Sequence, residues 1–379
     1  VGAASEQKKG EGVMEREILR EEDRRRGVVA MSGGVDSSVA AALLVEEGHE
    51  VVGISMRLYE APPTSDRSCC SPDDLFDARH VASGLGIPFY VANYVEAFQE
   101  RVIDYFVQEY RKGRTPNPCV ACNNHLKFDV LLGRTRALGG AWLATGHYAR
   151  VERVGDRWAL LKGVDPAKDQ SYFLYGLPRA LLGQIRFPLG ALTKEEVRAM
   201  ATARGLTTAQ KPESQEICFV TGTSYRDFVK ARLAQEEIKP GRLLHQDGRV
   251  MGTHEGVHQF TVGQRKGLGL DWHETLYVLR VDARSGDVVV GPQRGLEASG
   301  FEAQDAHWLR WEAPPARFLA QVKIRYRAEP EDASVEVLDD GRVRVTFDQP
   351  QRAVAPGQVA VFYDGDEVLG GAVIELALP

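Results

Sequence analysis

Cysteine is scarce in this chain, five among 379 residues, too few to build the disulfide framework of a small secreted domain. Thiols in that number suit a reducing compartment, where they are catalytic, metal-binding or buried, so a cytoplasmic location is expected. Long apolar runs are missing as well. No stretch approaches the ~20 apolar residues that cross a bilayer. The opening VGAASEQKKGEGVMEREILREEDRRR mixes both signs of charge and holds no apolar core of about 7–15 residues, as a secretory leader would. Nor is there an excess of basic charge. A formal net charge of -6 means that a nucleic-acid partner must be held by a local basic surface, because the summed field repels it weakly. Two motifs are absent with consequences of their own. Without a second C-x-x-C, a structural zinc site lacks its usual ligands, and without G-x-x-x-x-G-K-[ST] no loop lysine reaches β and γ phosphates as in a kinase-like P-loop.

What is present is the composition of a folded protein, 43% hydrophobic and 26% charged, in a length that implies two or three domains. From Val28 the text alternates short apolar runs (VVAM, EVVGISMRL, IPFYVANY) with amphipathic segments at 36–47 and 75–85, which predicts a parallel sheet covered on both faces. Phe98, Val102, Phe106 and Tyr110 recur at four-residue steps and predict a helix facing the core. AWLATG reads as a further strand ending at His147. Between 223 and 292 glycine becomes frequent and helices fade, and beyond 293 period-2 runs flanking DDG and DGD predict hairpins of a small antiparallel barrel. The expected divisions are a solvated tail at 1–25, an α/β parallel-sheet catalytic domain at 26–222, a turn-rich central domain at 223–292 and a C-terminal antiparallel β-barrel at 293–379.

MSGGVDSS sits where the first strand becomes a helix. Helix N-terminal N–H groups attract anions there, Gly33 and Gly34 admit a close ligand, Ser32, Ser37 and Ser38 add hydroxyl donors, and Asp36 is placed to hold a magnesium ion. The bland alternative is a helix cap with flexible glycines. The missing lysine favours chemistry in which pyrophosphate departs as a unit. Further along, GRTPNPCVACNNHLKF puts Cys119 and Cys122 behind a proline-fixed turn, with Arg114 and Lys127 close in sequence to favour a thiolate. Cys218, in ESQEICF, can reach them only through folding. Replacing a carbonyl oxygen by sulfur needs these two devices, an activated oxygen and an ionised sulfur nucleophile.

SGGVDSS resembles the PP-loop of the ATP pyrophosphatases (adenine nucleotide alpha hydrolase-like), which adenylate a substrate oxygen. Together, AMSGGVDSS, GRTPNP, ATGHYA, KDQSYFL, EICF and VGQRKGLG make the chain from about Gly27 onward similar to the tRNA-specific 2-thiouridylases. That resemblance implies adenylation of O2 of the wobble uridine of tRNA, then sulfur delivery from a cysteine persulfide, giving 2-thiouridine, AMP and pyrophosphate. It implies ATP, with Mg2+, at Ala30, Met31, Ser32, Gly33, Gly34, Val35, Asp36, Ser37, Met56 and Gly146. Cys122 becomes the nucleophile and Cys218 the persulfide carrier. Asn117, Pro118 and Cys119 border the target base, and His147, Lys168, Asp169, Gln170, Arg325, Tyr326 and Gln358 touch the tRNA anticodon arm. A sulfur carrier or cysteine desulfurase is the implied donor. One departure stands out: many members of that family carry an aspartate where this chain has Cys119. The exchange puts the proton-transfer step in question and creates a C-x-x-C, which with Cys218 gives three thiolates, enough for a [4Fe-4S] cluster with an open iron.

Other signals have plainer readings. Cys69 and Cys70 precede a helix that Ser71 could cap with Pro72 at its first position. Lys323, Arg325 and Arg327 alternate with Val322, Ile324 and Tyr326 as on a strand with one cationic face, and Arg265 and Lys266 in VGQRKG form a basic turn. A small-molecule ligase or amidotransferase using the same loop is the competing enzyme, and a non-catalytic RNA or metal module the competing binder.

Overall fold

A computed structural model of the protein describes residues 26–59, 72–212 and 217–379. The expected tail, Cys69, Cys70 and the Ser71 cap lie outside these residues. The chain opens with β1 (Arg26–Ala30), α1 (Val35–Glu46), β2 (Glu50–Arg57), α2 (Pro72–Gly84) and β3 (Phe89–Asn93). β-branched runs form the strands; Val29 is buried with Ala41 and Leu44 of α1, and Val28 and Ile54 are buried on the opposite face of the sheet. A helical path follows through α3 (Val95–Phe98), a π-helical stretch at Gln99–Asp104 and α4 (Tyr105–Arg111). Phe98, Val102, Phe106 and Tyr110 are all buried along it, as their spacing predicts, and they share a core with Phe219 and Phe228.

The cysteine segment forms α5 (Pro118–Cys122), runs through a π-helical stretch at Asn123–Lys127 into α6 (Phe128–Ala137), and returns to the sheet as β4 (Trp142–Ala144). Next come the hairpin β5 (Ala149–Val154) and β6 (Arg157–Lys162), β7 (Ile185–Arg186) and α7 (Lys194–Ala203). The sheet order is β3-β2-β1-β4-β7, parallel throughout. The chain leaves β1 toward β2 on one side and comes back to β4 on the other. The crevice where strand order reverses therefore opens beyond the C-terminal ends of β1 and β4, where open α/β sheets bind ligands.

α8 (Tyr225–Lys230) leads into a sheet of β8 (Gly241–His245), β9 (Val250–His254), β10 (Tyr277–Asp282) and β11 (Asp287–Gly291), ordered β10-β11-β8-β9 over its own core of Leu243, Phe260, Val278 and Val288. The last strands, β12 (Glu297–Trp308), β13 (Arg317–Lys323), β14 (Glu331–Val337), β15 (Val343–Arg352), β16 (Val359–Asp364) and β17 (Glu367–Leu378), close into an antiparallel barrel through the β12–β17 pairing.

Two features differ from the sequence reading. The strand expected to carry Arg325 and Arg327 stops at Lys323, and the chain turns there, with Ala328 N–H donating to the Arg325 carbonyl (3.1 Å). The alternating pattern continues past the strand because Ile324 still fills the barrel core while Tyr326 packs on Phe173 (4.5 Å). The second difference is the β5–β6 hairpin, which joins the barrel sheet beside β17. Lys162 N–H donates to the Asp366 carbonyl (2.9 Å), and buried Glu367 takes Arg157 and Arg310 at 2.5 Å each. One hairpin of the first domain thus extends the sheet of the last.

Candidate active site

The turn after β1 begins by holding on to the sheet: Met31 N–H donates to the Ile54 carbonyl (2.8 Å). Gly33 follows at φ +76°, and a Cβ there would lie 2.1 Å from the Asp74 carbonyl oxygen, so conformation and space both demand glycine. Ser32 N–H donates to Ser37 Oγ (3.1 Å), while the Ser37 and Ser38 hydroxyls donate to the Gly34 carbonyl (3.1 and 2.9 Å). Gly34 is the N-cap of α1 and supplies no side-chain cap. The loop is a rigid cradle backed by a helix N-terminus. Gly146, just past β4, faces it so closely that a Cβ would lie 2.7 Å from Ser37 N. Met56, near the end of β2, is buried beneath.

Asp36 is engaged by two side chains of the protein. Its carboxylate accepts from Lys194 Nζ at both oxygens (2.7 and 2.8 Å) and from the Tyr148 hydroxyl (2.8 Å). The carboxylate expected to hold magnesium is thus paired here with a lysine and a phenol. A second lysine flanks the loop. Lys211 Nζ donates to the Gly33 carbonyl (3.1 Å), Asp74 (2.6 Å) and Asp77 (2.5 Å). Burial opposes its charge, but the bonds to Asp74 and Asp77 outweigh burial and raise its pKa. Sequence reasoning missed Lys194, Lys211 and Tyr148. For Lys194 the signal was present in LTKEE. Thr193 and Glu196 form a capping box, which fixes the start of α7 and so the position of Lys194.

His147 follows Gly146 into the interior. Its Nδ1 lies 2.7 Å from Thr145 Oγ1, and its ring sits 6.0 Å from both Phe128 and Phe187. Burial, then the Lys127 charge, lowers its pKa to about 3. Neutral His147 thus links the cradle to the first residue of α6, the helix that continues the cysteine segment.

That segment is fastened from several sides. Asn117 caps α5, its side-chain oxygen accepting from Val120 N–H (3.2 Å), with Pro118 at the first turn. Thr115 N–H donates to the Pro356 carbonyl (2.8 Å), and Gln358 Nε2 donates to the Thr115 carbonyl (2.9 Å). Gln358, expected at RNA, thus grips the start of the cysteine loop. Buried Asn123 donates to the Phe173 carbonyl (3.0 Å), tying the helix to the KDQSYFL segment. Cys119 is exposed, Cys122 buried and Cys218 partly exposed. Cys122 belongs to the core that includes Met56, and Cys218 packs against it. Arg114, expected near the thiols, is instead directed to Glu109 (2.6 Å). Among the described residues no three His, Cys, Asp or Glu side chains form a metal-holding group. In this structure Cys119, Cys122 and Cys218 are not drawn together as the trithiolate that the sequence left open, Cys119 being exposed and Cys122 buried.

The remaining expected RNA contacts divide. Asp169 is buried, its carboxylate accepting from Gly163 N–H (2.9 Å), Ser171 N–H (3.1 Å) and the Ser171 hydroxyl (2.9 Å), which hold it inside the turn. Gln170 Oε1 accepts from Tyr148 N–H (3.0 Å), which orients the tyrosine that reaches Asp36. Lys168 stays half-buried at the preceding turn. The Tyr326 ring lies tilted against Phe173 (4.5 Å) and Tyr172 (6.3 Å), and the Tyr172 hydroxyl donates to the Val359 carbonyl (2.8 Å). Arg325 lines a cavity of about 550 Å³ with Tyr277, Gln351 and Arg352. Burial and then the Arg352 charge lower its pKa.

Comparison with known proteins places these parts together. The models described as the tRNA methyl transferase HUP domain, the tRNA methyl transferase PRC-barrel domain and the aminomethyltransferase beta-barrel domain match residues 25–222, 226–292 and 298–374. The tRNA-specific 2-thiouridylase MnmA of Geotalea uraniireducens is 50% identical over 95% of this chain and 98% of its own length. The protein of the same name from Carboxydothermus hydrogenoformans is 49% identical over 94% and 99%. Among solved structures, a 4-thiouridine synthetase–RNA complex with bound ATP is similar at 17% identity over 52% of this chain and 45% of that one, with a TM-score of 0.32, too distant to carry an argument.

Proposed function

This chain belongs to the tRNA-specific 2-thiouridylase family, and from that premise we propose that it replaces O2 of the wobble uridine of tRNA by sulfur at the expense of ATP. The observation that supports it most is a glycine-serine cradle flanked by Lys194 and Lys211 at the sheet crevice, with a buried cysteine in the core that also takes Met56 near the end of β2. ATP lies with its phosphates over 30–37, and the two lysines exchange their carboxylate partners for oxygens of the pyrophosphate that leaves, the task for which the loop has no lysine of its own. Magnesium enters with the nucleotide. The uridine oxygen attacks the α-phosphorus, pyrophosphate departs, and the base carries an adenylated O2.

Sulfur then follows. Cys218, loaded by a sulfur carrier or cysteine desulfurase, presents its persulfide, whose outer sulfur attacks C2 and expels AMP. Cys122 thiolate attacks the Cys218 sulfur, the S–S bond breaks, sulfur stays on the base and a Cys122–Cys218 disulfide forms. The target base must be everted to reach this depth, with Asn117 and Pro118 at its edge. Arg325 and Arg352, beside Tyr326, suit a backbone phosphate.

The test is direct. Protein, ATP, magnesium, a sulfide source and unmodified tRNA transcript should yield tRNA retarded in a mercury gel. Pyrophosphate release that ignores tRNA would instead favour a small-molecule ligase, and absence of turnover would favour a binding module.

A further inference from the structure

Each sulfur delivered by this relay leaves the protein oxidised by one disulfide, and the Cys122 end of that disulfide is buried. The next persulfide cannot load until Cys218 is a thiolate again. Cys119 has the placement to solve this. It lies one helical turn before Cys122 on α5, so the two share a helix face, yet Cys119 is exposed where Cys122 is not. Side chains so spaced have Cβ atoms about 5–6 Å apart, against about 3.5–4.5 Å in a disulfide. Closing the gap means tightening only the first turn, the part of a helix that deforms most readily. That turn is held by the Asn117 cap (3.2 Å).

We propose, resting on the persulfide relay above, that Cys119 is the resolving thiol of the catalytic cycle. Its thiolate attacks the Cys122 sulfur of the Cys122–Cys218 disulfide. The bond to Cys218 breaks, Cys218 departs as a thiolate ready for the next sulfur, and a Cys119–Cys122 disulfide forms. A cellular dithiol reductant then attacks the exposed Cys119 sulfur, Cys122 leaves as thiolate, and the second thiol of the reductant releases Cys119, the reductant ending as its own disulfide. The exchange carries the oxidation from a buried site to an exposed one, with electrons balanced at every step.

The experiment is a single turnover of persulfide-loaded full-length protein on tRNA without reductant, followed by alkylation and peptide mapping. The expected result is 2-thiouridine in the tRNA, an internal Cys119–Cys122 link and an alkylated Cys218. In both Cys119→Ser and Cys119→Ala the trapped link should become Cys122–Cys218, and steady-state turnover with a dithiol reductant should fall at least tenfold relative to the first turnover. If wild-type protein forms 2-thiouridine but traps Cys122–Cys218 with Cys119 alkylated, Cys119 is not the resolving thiol. If 2-thiouridine forms with every cysteine alkylated, the relay fails and the inference with it. If neither 2-thiouridine nor AMP appears, the proposed function itself is refuted, and the inference with it.

Discussion

At the scale of single residues, Lys194 and Lys211 are the cations beside a loop that has no lysine of its own, held in place by Asp36 and by Asp74 with Asp77. A charge-assisted hydrogen bond contributes about 1.5–3 kcal/mol, so Lys194→Met or Lys211→Met should lower kcat/KM for ATP about ten- to hundredfold. Pyrophosphate release measured with saturating tRNA checks this, and unchanged values would remove the lysines from the phosphate site. His147 supplies a pH dependence. Its folded pKa, about 3, lies below the ordinary value near ~6.5, so on acidification the unfolded chain takes the proton first. The stability from keeping the ring neutral is complete above about pH 6.5 and is lost as pH falls toward the folded value, at no more than about 1.4 kcal/mol per pH unit. Melting curves at neutral and mildly acidic pH should show a steeper loss for wild type than for His147→Gln. Equal slopes would contradict the assignment.

At the scale of elements, the barrel acts on the chemistry through its grip on the cysteine loop. The Gln358–Thr115 bond (2.9 Å) contributes about 0.5–1.5 kcal/mol. Gln358→Ala should therefore slow 2-thiouridine formation several-fold while KM for ATP stays put, since the cradle rests on the sheet. An ATP KM that rises in step would mean that the loop and the cradle are one unit. Most elements were legible from sequence: buried β-branched runs and helical stripes have physical periods, and strands and helices lie where those periods put them. Arg325 and Tyr326 were misplaced onto a strand because alternation outlasts the hydrogen bonding that defines it. The reach of the β5–β6 hairpin into the barrel sheet was illegible, since pairing between segments distant in sequence leaves no local period.

For the whole molecule, the β5–β6 hairpin ties the first domain to the barrel sheet, so the barrel and the sheet crevice are held in one framework. With a net charge of -6, phosphate attraction requires a local basic surface, and the arginines at the cavity are the proposed one. tRNA affinity should fall steeply with salt, and Arg325→Ala should reduce the salt slope by about one. An unchanged slope would leave the cavity without a phosphate. The candidate site was legible where a motif is contiguous, as in MSGGVDSS and the C-x-x-C. It was illegible where folding recruits from afar, as with Tyr148, Lys194 and Lys211, or where a polar side chain turns inward, as with Asp169.

The central claim is that one crevice activates the uridine oxygen and a separate thiol brings the sulfur. Cys218→Ser protein, given ATP and unmodified tRNA, tests it most directly. The account predicts tRNA-dependent pyrophosphate release near the wild-type rate with no mercury-retarded tRNA. Retarded tRNA at the wild-type rate from this variant, or loss of pyrophosphate release together with thiolation, would contradict it.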